Sequence, residues 1–476
     1  MIQGREVAFG TSGVRGLVAH MTREVCFAYA QAFIRALSPA GGAVVVGHDL
    51  RPSSPRIAAH CIQAVRASGL EVVFAGAAPT PAVAAYAMRH RMPAIVVTGS
   101  HIPFDRNGLK FYRPEGEISK ADESLILAQD VHIPPQLADH GLPERALCVL
   151  NEYKDRYTRF FDGSLSGRRV ALYEHSSAAR DILREILEAL GAEVISLGRT
   201  DEFVPIDTEA VRQEDIAQAR AWAKQFTFDA IVSTDGDADR PLIGDEQGRW
   251  LRGDMVGTLC AQFLKADVVV TPVSSNTAVE RCSSFSKIVR TRIGSPYVIA
   301  AMENECAARK TGPAPAVVGY EANGGFLLGS GLVRGGTELL PLPTRDAVLP
   351  IVALLVRASQ EGCAVSALAN SLPARFTASD RLQGVAAVAS AHLIDRLMTD
   401  RHLMQHVMSP EGGSPVAVDL TDGLRVTFQS EDVVHLRPSG NAPELRCYAE
   451  AQTEAQAALL CQSCLSRASD HLPVAS

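Results

Sequence analysis

The stretch AIVVTGSHIPFDRNGLKFY, Ala94 to Tyr112, is an apolar run that stops in a glycine-punctuated loop. Ala94-Ile95-Val96-Val97 has the length and branching of a buried strand. Gly99 and Ser100 follow at its C-terminal edge, the edge at which ligands collect in open α/β sheets. Asn107-Gly108 predicts a second sharp turn, after which Lys110 brings a cation back towards the serine. A hydroxyl beside His101 with a lysine in reach suits phosphoryl chemistry; the plain alternative is a surface turn.

A second apolar run, Phe228 to Thr234, leads straight into DGDADR, Asp235 to Arg240. Three carboxylates at alternate positions cannot all ionise close together unless a cation neutralises them. Gly236 and the small Ala238 leave room for the loop to curl, turning Asp235, Asp237 and Asp239 towards one point. Oxygen ligands of this kind suit a hard ion such as Mg²⁺. Arg240 adds a guanidinium shaped for phosphate or carboxylate. The residues that follow, PLIGDEQGRW, supply neither the flanking helix nor the twelfth-position glutamate of an EF-hand.

Working outward, strand-like and helix-like segments alternate. AVVVG, LEVVFA and AIVVT are separated by helical stretches such as RIAAHCIQAVRAS; a similar unit precedes DGDADR, and a third runs from DVVVTPV through SPYVIAAMENECAARK to AVVGYE. Helical crossovers predict largely parallel sheets covered on both faces. From about Leu368 the pattern changes to a helix, then GLRVTFQ, DVVHLRPS and LRCYAEA, then a last helix, which predicts an antiparallel α+β unit. The expected fold is therefore three tandem α/β domains with mixed, largely parallel sheets plus a C-terminal α+β domain. Their expected bounds are 1–147, 148–253, 254–367 and 368–476, with one motif in each and a shared cleft between them.

The third motif, VVGYEANGGF, is a strand ending in a loop that offers Glu321 and Asn323 to paired sugar hydroxyls. The fourth, RPSGNAPELR, groups Arg437, Ser439, Gly440, Asn441 and Arg446 around a turn whose backbone N–H groups suit an anion. Arg292, ahead of Gly294 and a helix at Ser295, is a further candidate for substrate contact or a solvated cation. The 476 residues carry a net charge of −7, which gives no general attraction to nucleic acid or to an anionic membrane. No run approaches the ~20 apolar residues of a membrane span, and the N-terminus shows no signal core, so a cytoplasmic protein is expected. Among ten cysteines, Cys461 and Cys464 form one C-x-x-C within a helical run, where packing outweighs zinc or redox work. G-x-x-x-x-G-K-[ST] is absent, which removes a P-loop kinase.

In this order the segments resemble the α-D-phosphohexomutase family, most nearly its bacterial phosphomannomutase/phosphoglucomutase members, along nearly the whole chain. FGTSGVRG (Phe9 to Gly16) is similar to the family's opening motif, TGSHIPFDRNGLK to its phosphoserine loop and DGDADR to its metal loop. GYEANGG is similar to its sugar loop and RPSGNAPELRCYAEA to its phosphate loop. The resemblance implies a phosphorylated Ser100, Mg²⁺ held by that phosphoserine with Asp235, Asp237 and Asp239, and a hexose 1,6-bisphosphate as intermediate and activator. It further implies a hexose phosphate substrate, mannose ahead of glucose and glucosamine. Lys110, Arg15 and His101 are its candidates for charge stabilisation or proton transfer at the acceptor hydroxyl. The segment from His48 and Asp49 through Arg51 to Ser53-Ser54 resembles a support loop beside the serine, or a helix cap. A Mg²⁺-dependent phosphatase and a noncatalytic sugar-phosphate sensor are the competing readings. The sequence is silent on oligomeric state.

Departures from the family pattern are local. Gly99 and Ile102 stand where alanine and asparagine are usual, and Asn441-Ala442 replaces a Thr-Glu pair. The sugar loop ends in Asn323-Gly324-Gly325 without the Ser-x-His of several subfamilies.

Overall fold

A computed structural model describes residues 6–10, 13–37, 42–134, 141–308, 314–409, 413–439 and 443–472. Three sheets share one construction. In the first, Ala43–His48 lies parallel between Glu71–Ala77 and Ala94–Val97. In the second, Arg169–Tyr173 lies parallel between Glu193–Leu197 and Ala230–Thr234. In the third, Val268–Pro272 lies parallel between Lys287–Thr291 and Val317–Tyr320. Helices such as Ser54–Ala67, Arg180–Ala189 and Ser295–Ala307 make the crossovers that parallel neighbours require.

Each triplet is then extended by a strand running the other way: Arg106–Arg113, Pro241–Gly244 and Phe326–Leu328. The sheets are thus mixed, parallel at the centre and antiparallel at one side. The first continues through Val14–Leu17 to Val7–Phe9, and the third to Leu342–Asp346. The step from each parallel triplet to its first antiparallel strand is a hairpin, and its connection is a motif: 98–105 carries Ser100, 235–240 is DGDADR, and 321–325 is EANGG. The C-terminal sheet is antiparallel throughout, in the order Phe376–Gln383, Glu444–Ala451, Val433–Pro438, Leu424–Phe428, Pro415–Asp419. Its hairpin between Val433–Pro438 and Glu444–Ala451 holds the fourth motif.

One apolar core runs from the second sheet into the third, through Leu172, Ile186, Val232, Val318, Tyr320 and Leu354. The first sheet has its own core around Phe27, Phe33, Ile95 and Phe111, and the last around Leu397, Val426, Leu436 and Leu465. Cys461 and Cys464 both point into that last core, with Cys447. Among the described residues no helix is long and apolar enough to cross a membrane.

One local expectation is corrected. Asn107-Gly108 is not a turn but lies inside the strand Arg106–Arg113. The Asn107 amide donates to the hydroxyls of Ser53 and Ser54, so its polarity is consumed by the neighbouring helix start. Gly108 is there for close approach: a Cβ would stand 2.5 Å from the Val14 carbonyl oxygen and 2.9 Å from that of Thr98.

Candidate active site

The Ser100 loop is held from beneath. Asp49 is fully buried and accepts from Thr98 Oγ1 (2.8 Å), Ser54 Oγ (2.5 Å) and the Arg51 backbone N–H (3.0 Å). Arg51, paired with Asp49, donates to the carbonyl oxygens of Ser100 (2.9 Å), Ile102, Pro103 (2.7 Å) and Arg106 (3.0 Å). The support-loop reading therefore describes this segment, since neither Ser53 nor Ser54 caps the helix that begins there. These bonds oppose a local strain: Ser100 sits at φ +52°, a left-handed conformation costing about 1–2 kcal/mol in a residue with a Cβ. The other two loops turn the same way, at Ala238 (φ +58°) and Gly324 (φ +88°).

The hairpins converge. Ser100 Oγ donates to Asp235 Oδ2 at 2.6 Å, and it lies 3.2 Å from His101 Nδ1. Lys110 does not return to the serine as expected; its ammonium bridges Asp237 Oδ2 (2.7 Å) and Asp239 Oδ2 (2.5 Å). The strand register explains this, because Lys110 pairs with Val96 in the sheet and looks across the interface at the DGDADR loop. Thr80 also donates to Asp237 (2.7 Å). Arg345 spans from Asp239 Oδ2 (2.9 Å) to Glu321 Oε2 (3.3 Å), joining the second motif to the third. Arg240 reaches His101 Nδ1 at 3.0 Å. Asn323 Oδ1 is occupied by the Gly325 N–H (2.9 Å), which makes it a loop-former as much as a ligand.

Arg345, Thr80, Asp49 and Arg51 are the residues the motif reading missed or undervalued. Arg345 had a signal: a lone cation closing the strand-like LPTRD ahead of an apolar helix.

The charges sort the proton-transfer candidates. His101 is driven down to about 3 by burial and by Arg240, so its imidazole is neutral near pH 7. Burial pulls Lys110 down, but Asp237 and Asp239 more than reverse it and keep the ammonium charged. Arg15, half-buried on the strand Val14–Leu17, is lowered to about 10 by burial and by the positive charges of Arg240 and Arg345. Of the three candidates, Arg15 is the cation whose proton is loosened.

The aspartates fit a divalent ion. Asp235, Asp237 and Asp239 each offer an oxygen within 4.8 Å of the others, and all three are buried. Among the described residues Asp237 Oδ1 and Asp239 Oδ1 accept no hydrogen bond although buried, Arg240 Nε lying 3.5 Å from Asp239 Oδ1, and an unbonded carboxylate oxygen there is costly. Burial and then the negative charge of Asp237 and Asp239 push Asp235 well above the usual carboxylate range. Despite burial, Lys110 holds Asp237 and Arg345 holds Asp239 below that range, so the shortfall of positive charge falls on Asp235.

The fourth motif lies on the last sheet. Arg437 and Arg446 face one another across the hairpin. Arg437 Nε stands 3.3 Å from Asp422 Oδ2 without an aligned hydrogen bond, and Arg446 is paired with Glu444 at 3.1 Å. The Ser439 N–H donates to the Glu444 carbonyl oxygen at 2.9 Å. Gly440 and Asn441 lie outside the described residues. Arg292 is turned to this unit, with Nε donating to the Thr421 carbonyl oxygen at 3.0 Å.

Comparison with known proteins follows the same four units. Phosphoglucomutase/phosphomannomutase alpha/beta/alpha domains I, II and III match residues 6–131, 152–248 and 252–376, and the C-terminal domain matches 377–465. A phosphomannomutase of Salmonella muenchen is 45% identical over 465 residues, 97% of this chain and 95% of that one. The chain belongs to the phosphoglucomutase/phosphomannomutase family. A second phosphomannomutase, from Sinorhizobium fredii, is 44% identical over 93% of this chain and 94% of its own. In fold, the chain superposes on a putative phosphomannomutase of Thermus thermophilus with a TM-score of 0.75 at 22% identity, covering 98% of each. The family match covers all four units.

Proposed function

We propose that this protein is a phosphohexomutase that interconverts hexose 6-phosphate and hexose 1-phosphate, with mannose phosphates as preferred substrates. The observation that carries the reading is the meeting of Ser100 with the aspartate loop, Ser100 Oγ being 2.6 Å from Asp235 at the junction of three sheets. In this reading a phosphoryl group on Ser100 passes to the free hydroxyl of a bound hexose monophosphate, and the P–O bond to serine breaks as the new one forms. The resulting hexose 1,6-bisphosphate turns end for end and returns its other phosphoryl group to Ser100, leaving the isomer. Mg²⁺, when bound by Asp235, Asp237 and Asp239 with the phosphoserine, supplies charge neutralisation for the phosphoryl oxygens. The acceptor hydroxyl gives up its proton as Ser100 Oγ regains one, with the Arg15 guanidinium stabilising the charge that develops at the acceptor oxygen; Lys110 and Arg345 hold the aspartates, and Arg240 and His101 line the approach. Glu321 and Asn323 receive sugar hydroxyls. Arg437, Ser439, Gly440, Asn441 and Arg446 take the distal phosphate, with Arg292 at the border of that unit. Such an enzyme works on small anions in the cytoplasm and needs no nucleic acid or membrane partner.

Sugar preference is tested by coupled isomerisation of mannose, glucose and glucosamine 1-phosphates. The expected order of kcat/KM is mannose, then glucose, then glucosamine, with conversion depending on hexose bisphosphate and little phosphate released. Glucose 1-phosphate far above mannose 1-phosphate would reverse the assignment, and stoichiometric phosphate release would make the protein a phosphatase.

Arg437→Ala is expected to raise KM and lower kcat together, each by about tenfold, and to increase escape of the bisphosphate. Binding of a remote phosphate holds the reacting hydroxyl in line, so its loss reaches turnover as well as affinity. Steady-state kinetics with a bisphosphate-trapping assay checks this; unchanged KM and kcat would move the distal site to Arg292.

A further inference from the structure

The segment from Thr200 to Ala210 leaves the second sheet and reaches the sugar loop, the aspartate loop and the Arg51 clamp beneath the serine loop, yet none of the proposed chemistry uses it. Arg180 Nη1 anchors it at the Thr200 carbonyl oxygen (2.7 Å), and Ser176 Oγ accepts from the Val204 N–H (2.8 Å). Further on, Thr208 Oγ1 donates to the Asn323 carbonyl oxygen in the sugar loop (2.7 Å). Between these anchors Phe203 lays its ring against the guanidinium of Arg51, with Cζ 4.0 Å from the ring centroid.

Arg51 is the fully buried clamp whose donors fix the carbonyl oxygens of residues 100, 102, 103 and 106. Its other face is closed by Gly99, where a Cβ would stand 2.6 Å from the guanidinium carbon. The order is therefore glycine backbone, guanidinium, phenyl ring. The ring edge in turn packs at Gly236 of the aspartate loop, where a Cβ would stand 3.3 Å from Phe203 and 2.9 Å from the Ser100 carbonyl oxygen. Phe203 thus sits where the serine loop and the aspartate loop meet, on a side chain that, with Asp49, sets the serine loop's shape. A guanidinium dehydrated between two flat surfaces is where a ring's negative face contributes most. The same packing gives a physical reason for glycine at position 99, since alanine there would drive Arg51 off its seat.

We propose that Phe203 is a positioning residue for phosphoryl transfer: its ring holds the Arg51 clamp and so keeps Ser100 in line with the aspartate loop. This rests on the phosphohexomutase reading of the site. Phe203 touches no substrate in this scheme and acts through Arg51. It follows that the ring's π face matters, and that a side chain of similar volume without one does not replace it.

The test uses the full-length protein. Single-turnover phosphorylation of Ser100 by glucose 1,6-bisphosphate is followed by quenched flow, with steady-state kcat and KM and the ³¹P resonance of the phosphoserine. Phe203→Leu is expected to slow transfer about tenfold with KM changed less than about twofold, and to move the ³¹P signal. Phe203→Tyr is expected to restore both rate and resonance, which a packing role alone would not require. Gly99→Ala, which disturbs the stack from its other face, is expected to reproduce the leucine signature. Transfer at the wild-type rate in Phe203→Leu, or equal loss in leucine and tyrosine variants, or a loss confined to KM, would overturn the proposal. If wild-type Ser100 accepts no phosphoryl group at all, the functional reading fails and takes this inference with it. If wild type accepts it and the leucine variant does so equally well, this inference fails alone.

Discussion

Ser100→Ala is expected to lose turnover by on the order of 10⁴-fold or more while the protein stays folded. The hydroxyl's hydrogen bond to Asp235 contributes only about 1 kcal/mol to stability, whereas in the proposed reaction it is the atom that carries the phosphoryl group. The left-handed backbone sharpens the expectation. Ser100 adopts φ +52°, a region that β-branched residues avoid, so Ser100→Thr keeps a hydroxyl and still fails. Intact-mass and peptide-mapping measurements on protein treated with hexose bisphosphate check both: phosphate on Ser100 in the wild type, and none in either variant. A fully active Ser100→Ala would remove the serine from the mechanism.

The aspartate loop supplies the second large effect, and its three members are expected to differ. Asp237→Asn strands the Lys110 ammonium beside one carboxylate, and Asp239→Asn strands both Lys110 and Arg345. Uncoupling a buried pair costs about 3–5 kcal/mol, so both variants should lose thermal stability as well as activity. Asp235 accepts from Ser100 Oγ and from the Asp239 and Arg240 N–H groups, with no side-chain cation bonded to it among the described residues. Asp235→Asn should therefore melt near the wild-type temperature yet lose Mg²⁺ affinity and on the order of 10²-fold in turnover. Calorimetric Mg²⁺ titration with parallel thermal melts separates the cases, and full wild-type activity in EDTA would exclude the metal. Equal melting temperatures for all three variants would show that the Lys110 and Arg345 pairs contribute little.

The fold class was legible because periodicity and crossover helices are local properties. Ala94-Ile95-Val96-Val97 and Val268–Pro272 are apolar on both faces, which marks strands buried under helices. The strands that escaped were those whose side chains carry other duties. Val14–Leu17 and Arg106–Arg113 are rich in Arg, Lys, Gly and Asn, and Phe376–Gln383 and Pro415–Asp419 are half-exposed. For the same reason Asn107-Gly108 looked like a turn: the Ser53 and Ser54 hydroxyls that claim the amide lie more than fifty residues away. Within the site, Ser100 and the aspartates could be read because each motif is contiguous. Arg345 left only a lone cation as its signal and Phe203 none, because what recruits each is a residue of another unit. Lys110 was found but aimed wrongly; only the pairing of its strand shows that it faces the carboxylates.

The bonds that assemble this site are also bonds between units, one of which, the first, keeps an apolar core of its own. Ser100 to Asp235, Thr80 and Lys110 to Asp237, and Lys110 to Asp239 all tie the first unit to the second. Arg345 to Asp239 ties the third to the second. Inheritance is constrained accordingly. In most enzymes a lineage released from selection for turnover can discard its reactive side chains and keep its architecture, because a few surface polar groups are easily spared. Here drift at Asp237, Asp239 or Lys110 would leave a charge buried without its partner, so decay of the chemistry would be exposed as poor assembly and cleared from the cell. A descendant that abandoned catalysis could persist by replacing whole charged sets at once with apolar residues that fit together. Retained aspartates among distant relatives are thus evidence of intact assembly as much as of retained activity.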